Sequence, residues 1–208
     1  MISELIRRYP DLHIIKSEID KATKEIISCY ENGGKLLLCG NGGSAADCEH
    51  IVGELMKGFL KKRPVSDKKK KEMKANAPFI EDEILSKLQS GLPAVSLPSM
   101  IALNSAFCND VEPELAFAQS VMAMATEKDI LIAISTSGNS KNVCAAVKVA
   151  RALNCKVIGL TGKTGGSLKN LADVCICTPA DETFKIQEYH LPIYHCICAM
   201  IEDYFFKE

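Results

Sequence analysis

The sequence contains no tryptophan, no Cys-x-x-Cys pair and no apolar run of membrane-spanning length. The missing thiol pair argues against a cysteine zinc site. No stretch reaches the roughly 18 apolar residues that a membrane span needs. The opening residues, MISELIRRYPDLHIIKSEI, form a charged amphipathic pattern rather than a secretory leader. The formal charge is only -1, which gives no global pull toward nucleic acid or a membrane surface. The ten cysteines therefore read as reduced, small apolar side chains of a cytosolic protein. A chain of this length buries about 70% of its unfolded surface and needs no disulfide staples.

What is present is a repeated alternation. Short apolar runs at 35–40 (KLLLCG), 94–99 (AVSLPS), 129–136 (DILIAIST), 156–162 (KVIGLTG) and 174–179 (VCICTP) read as buried strands. Helical patterns cover 2–33, as one or two helices, then 43–60, 100–108, 113–127, 138–154 and about 184–206. Buried strands separated by helices predict an α/β fold with a parallel sheet covered on both faces. Ligands of such sheets bind beyond the carboxyl ends of the strands. One segment departs in composition: residues 57–74 hold nine Lys/Arg against two acids. It predicts a solvated, mobile excursion with a helix around 80–90, or else a lid or a docking patch for an anionic partner.

The strand at 129–136 runs into ISTSGNS, which opens a helix. Ser135, Thr136, Ser137 and Ser140 offer hydroxyls, Gly138 permits a sharp turn, and the free N–H groups of a helix start attract an anion. The loop matches neither a Walker A sequence nor GxGxxG. A hydroxyl cradle with no essential lysine suits a sugar monophosphate better than a nucleoside triphosphate. Ordinary N-capping would need only one of these hydroxyls. GNGGS, with Asn41, Gly42, Gly43 and Ser44, is a second such turn, and TGKTGG at 161–166 a third, read as a phosphate turn or a plain loop.

Asp47, His50 and Glu54 follow the first turn at i, i+3 and i+7, on one face of one helix. A His and a Glu one turn apart can share a metal or act as a base and its orienting partner; alone they are more often a surface salt link. The second constellation is KIQEYHLPIYH, 185–195, with Gln187, Glu188, His190 and His195. Gln187 and His195 stand about 12 Å apart along an ideal helix. They reach one metal only if Gln187 leans inward, lies ahead of the helix, or serves another subunit. Pro192 predicts a break between them unless it marks a first turn.

The run of CGNGGSAAD, EH and EL, then ISTSGNS, LTG with GG, and IQE with H and a final H resembles the phosphoheptose isomerases of the sugar isomerase (SIS) superfamily. The likeness covers about residues 20–205 apart from the excursion. It implies a SIS-type three-layer sandwich over residues 1–208, with a five-stranded parallel sheet between helices, long terminal helices and a basic excursion over 61–91. It implies a cytoplasmic homotetramer with sites at subunit interfaces. It also implies one zinc ion per subunit on His50, Glu54, Gln187 and His195, with Glu54 and His195 as the acid–base pair. Asp47 and Asp110 match positions that line the pocket; Asn41, Ser44, Ser135, Thr136, Ser137 and Ser140 match sugar-phosphate contacts, with Gly42, Gly43 and Gln187 beside them. The implied reaction converts sedoheptulose 7-phosphate to D-glycero-D-manno-heptose 7-phosphate through an enediol, supplying heptose for bacterial surface glycans.

The chain departs from that pattern in three places: the insert at 65–90, Pro192, and Phe184, which stands where the family usually places an aspartate lining the sugar site. Trading a polar contact for a ring changes which hydroxyls are recognised, so another sugar phosphate is one alternative. A non-enzymatic SIS protein of the replication-initiator-associating type is a second, disfavoured because such proteins lack the Glu and the final His. A sugar-phosphate-sensing regulatory module would need a further domain.

Overall fold

The structure, a computed structural model, describes residues 1–207. The N-terminal stretch divides into α1 (Ile2–Arg8), a 3-10 turn at Pro10–Ile15 and α2 (Lys16–Glu31). Pro10 makes the break: it has no N–H to donate and pushes Tyr9 out of the helical region, to φ -133°. There follow β1 (Leu36–Cys39), α3 (Gly43–Met56), α4 (Asp67–Asn76), α5 (Asp82–Lys87), β2 (Ala94–Ser96) and α6 (Ile101–Asp110). After these come α7 (Ala116–Met124), β3 (Ile130–Ser135), α8 (Lys141–Ala152), β4 (Lys156–Thr161), α9 (Leu168–Leu171), β5 (Val174–Cys177) and α10 (Thr183–Phe205).

The five strands are parallel in the order β2-β1-β3-β4-β5. Alternation along each strand sorts the core into two layers. Leu36, Leu38, Ile130, Ile132, Ile158 and Ile176 face α2, α3 and α10. Leu37, Leu131, Ala133 and Val157 face α7 and α8 through Phe117, Val121, Val143 and Val147. The architecture is thus the expected three-layer sandwich. Strand β2 stops at Ser96, short of the expected 99, because Pro98 cannot supply a ladder N–H and a 3-10 turn replaces it.

Two local expectations are corrected. Pro192 lies inside α10 without ending it. The missing hydrogen bond is tolerated because His190, Pro192, Ile193, Tyr194 and Cys196 are all buried around it, and tertiary packing outweighs the local penalty. The excursion holds two helices rather than one. Ser66 caps α4 by accepting from the Lys69 N–H at 3.3 Å. No residue of α4 is buried, whereas α5 buries Leu85. The ends of the excursion meet where Ser90 N–H donates to Arg63 O at 2.6 Å.

Because β1 sends its chain to β2 on one side and has β3 on the other, the order reverses between β1 and β3. That reversal opens a crevice at the carboxyl ends of these two strands. The GNGG turn and the STSGNS loop flank it.

Candidate active site

The two loops are joined across the crevice. Asn41 and Asn142 exchange amide hydrogen bonds at 2.8 and 2.9 Å, and the Asn142 carbonyl oxygen also accepts from the Val143 N–H at 3.0 Å. Asn142 is a site residue that sequence reasoning missed; it looks like one more polar residue on α8. Ser135 and Ser140 hydroxyls pair at 2.9 Å, closing the STSGNS loop upon itself. Gly138 holds φ +66°, and a Cβ there would strike the Gly165 carbonyl oxygen. The TGKTGG loop is therefore a brace: Gly162 N–H donates to Thr136 O at 3.0 Å, and Ser167 N–H and hydroxyl donate to Asn139 Oδ1 at 2.9 and 2.8 Å. Thr136 is half-buried and Ser137 exposed, so the loop presents hydroxyls outward.

Gly42 caps the start of α3, and its φ +54°, ψ -121° belongs to glycine. Ser44, Cys48, Ile51 and Leu55 face the sheet. Asp47, His50 and Glu54 lie on the neighbouring stripe, which meets α10. The two helices run side by side in the same direction: the Gln187 amide lies against Gly43, Tyr194 and His195 reach Asp47 and His50, and Glu202 meets the segment after α3.

Three donor atoms converge in the middle of this seam. His50 Nε2 lies 3.2 Å from Glu54 Oε1 and 3.3 Å from His195 Nε2. His50, Glu54 and His195 form the only group of three or more metal-competent side chains among the described residues, with ligand atoms all within 4.8 Å of one another. Tyr194, deeply buried, sets the orientation. Its hydroxyl lies 3.2 Å from Asp47 Oδ1 and 3.0 Å from His50 Nδ1. The network assigns the Tyr194 proton to the carboxylate and the Nδ1 proton of His50 to the Tyr194 oxygen. The lone pair of His50 Nε2 then points at Glu54 and His195. Burial raises the pKa of Asp47 above its ordinary value despite that bond, and burial followed by the neighbouring His50 lowers the pKa of His195. Glu54 Oε2 and Asp47 Oδ2 are buried without a hydrogen-bond partner. Lys57 Nζ, 3.5 Å from Glu54 Oε2, offers charge but no hydrogen bond. Three nitrogen and oxygen donor atoms that converge this closely suit a cation.

Gln187 does not join this group within one subunit. It sits over Gly43, about 10 Å up α3 from His50 by helical rise. Asp110, at the exposed end of α6, contacts Asn109 at 2.8 Å. A cavity of about 300 Å³ opens beside His195, with Arg8, Tyr9, Phe59 and Leu191 among its walls, and contains none of the loop hydroxyls.

The SIS domain model matches residues 90–200, and a second SIS domain model matches residues 10–81. Sheet, loops and model matches together define an α/β protein of the SIS type. The phosphoheptose isomerase of Aliarcobacter butzleri is 37% identical, over 92% of this chain and 88% of its own. Phosphoheptose isomerase 1 of Campylobacter jejuni is 39% identical, over 92% and 89%. Among solved structures, phosphoheptose isomerase GmhA from Neisseria gonorrhoeae superposes with a TM-score of 0.76 and 32% identity, covering 97% of this chain and 95% of the other. The chain belongs to the phosphoheptose isomerase family, and is a sugar-phosphate isomerase.

Proposed function

We propose that the chain converts sedoheptulose 7-phosphate to D-glycero-D-manno-heptose 7-phosphate through an enediol, at a site completed between subunits of a cytoplasmic homotetramer. The observation that carries this reading is that His195 of α10 converges with His50 and Glu54 of α3, the helix that begins at the glycine turn. In this reading the phosphate rests on the N–H and hydroxyl groups of Ser135–Ser140 and of the Gly42–Ser44 turn. Glu54 takes the proton from C1 of the ketose and returns it to C2. His195, which burial keeps ready in its neutral form, moves the proton between the two oxygens. Asp47 and Tyr194 hold His50 in one tautomer.

The donor set fits zinc, with His50, Glu54 and His195 as ligands and Gln187 as a fourth that would have to act from another subunit or after local movement of the helix start. When bound, such an ion supplies a positive charge that polarises the carbonyl. Two features support a shared site. The hydroxyl loops and the acid–base group stand about two helical turns apart along one chain. Helix α6 buries no residue, with Ile101 77% and Val111 64% exposed in and just beyond it, as a subunit-facing helix would.

One observation favours a different sugar phosphate as substrate. Phe184, 56% exposed, projects from the first turn of α10, one turn before Gln187. The test of both readings is NMR of sedoheptulose 7-phosphate with protein and zinc in heavy water. An aldoheptose phosphate carrying deuterium at C2 supports the proposal. No turnover with metal bound turns the search to other sugar phosphates, and no turnover with no metal bound defeats the isomerase mechanism.

A further inference from the structure

The charged pair Arg63–Glu202 is buried to 1% exposure on both sides, away from the loops and outside the acid–base group. Its bonds reach that group from two directions. Arg63 Nη1 donates to Leu55 O at 2.7 Å and Nη2 to Glu54 O at 3.1 Å, so the guanidinium caps the end of α3 at the residue that carries the base. Arg63 Nε donates to Glu202 Oε1 at 2.7 Å. The same carboxylate accepts the backbone N–H groups of Phe59, Leu60 and Lys61 at 2.8, 2.7 and 3.1 Å. Phe59, held by the first of these bonds, lays its ring against His195, with centroids 5.5 Å apart. Glu202 stands on α10 two turns beyond His195. The guanidinium is covered in turn by the Phe206 ring, 4.5 Å away.

A buried ion pair is weak evidence for stability, because desolvation cancels most of its attraction. What this pair does supply is geometry. Three of its hydrogen bonds fix the backbone of Phe59–Lys61 between the two helices, and two more fix the carbonyls at the end of the base-bearing helix. The excursion closes at the same point, since Arg63 O accepts the Ser90 N–H at 2.6 Å.

We propose that Glu202, acting with Arg63, is a positioning residue that sets Glu54 and the Phe59-packed face of His195 in register for proton transfer. The inference rests on the reading that Glu54 and His195 do the acid–base work. Neither Arg63 nor Glu202 belongs to the hydroxyl loops or to the acid–base group, and the pair is buried. Their effect is on how the two reacting side chains face each other, a matter in which a 1 Å error costs about a hundredfold.

The test compares Glu202→Gln and Arg63→Lys with the wild-type protein and with Glu54→Gln and His195→Ala, on whichever sugar phosphate the wild type turns over. Glu202→Gln keeps the shape of the side chain but replaces one acceptor by a donor, so it cannot serve Arg63 and all three N–H groups together. The expected result is kcat lowered tenfold or more per folded subunit, KM within threefold, and unchanged secondary structure by circular dichroism. A variant that melts earlier yet keeps the wild-type kcat overturns the inference, because the pair is then structural only. An equal loss in kcat and affinity also overturns it, since positioning of the acid–base pair would spare binding. If Glu54→Gln and His195→Ala both retain turnover, the acid–base reading itself has failed, whatever Glu202→Gln shows.

Discussion

The Nε2 atoms of His50 and His195 face each other at 3.3 Å across two helices 145 residues apart in the chain. Glu54 Oε1 stands 3.2 Å from the same His50 nitrogen. Tyr194 and Asp47 take up the other side of the His50 ring, so its lone pair is left for whatever positive charge occupies the centre. A proton between the rings satisfies one pair of atoms; a metal ion satisfies all three.

Zinc should therefore bind with this pair as its core. Metal analysis of purified His50→Ala should show occupancy reduced at least tenfold, and Tyr194→Phe a smaller loss, because removing an outer partner of a ligand typically costs about 10–100-fold in affinity. Full occupancy in His50→Ala would remove the metal assignment.

Glu54→Gln should retain the fold and lose turnover. The amide keeps the size of the side chain but cannot accept a carbon-bound proton, and general-base contributions are about 10²–10⁴-fold. Deuterium exchange into substrate, followed by NMR, reads this directly. Exchange at the wild-type rate would exclude Glu54 as the base.

Gly138→Ala should weaken the anion loop. Alanine at φ +66° costs about 1–2 kcal/mol in the left-handed region, and its Cβ strikes Gly165 O. A fall in melting temperature of a few degrees (about 2–4 °C per kcal/mol for a chain this size) should accompany a KM for the sugar phosphate raised more than kcat is lowered. A Gly166→Ala control should also disturb the loop, because its Cβ would meet Ser137 O.

His190 should make the protein sensitive to acid. It is fully buried, its Nδ1 has no partner, and burial lowers its pKa from 6.5 to about 4, against a small opposing effect of the Thr161 carbonyl. Between those two values the unfolded chain binds the proton and the folded chain does not. Stability then rises with pH across that window and is lost as pH falls through it, by about 3 kcal/mol in total. Urea unfolding of His190→Leu between pH 4 and 7 should show a flatter acid limb than the wild type. An identical slope would place the acid sensitivity elsewhere.

The elements and the chemical groups were legible in the sequence because they depend on near neighbours. A continuous apolar run such as LLLC marks a strand buried on both faces; hydroxyls and a glycine after a strand mark an anion loop; Asp47, His50 and Glu54 share a helix face by spacing alone. Tertiary packing overrode the local signal at Pro192, where burial on either side carries the helix through, and in TGKTGG, where close backbone contact makes a brace of an unremarkable loop. The sequence could not show that α3 and α10 lie side by side in one direction, with His195 opposite His50 and Gln187 two turns away over Gly43. That register is set by side chains packing between segments far apart in the chain. The same holds for Tyr194, Asn142, Arg63 and Glu202: their composition marks them as ordinary core or surface residues, and only the fold supplies the partners that give them a role.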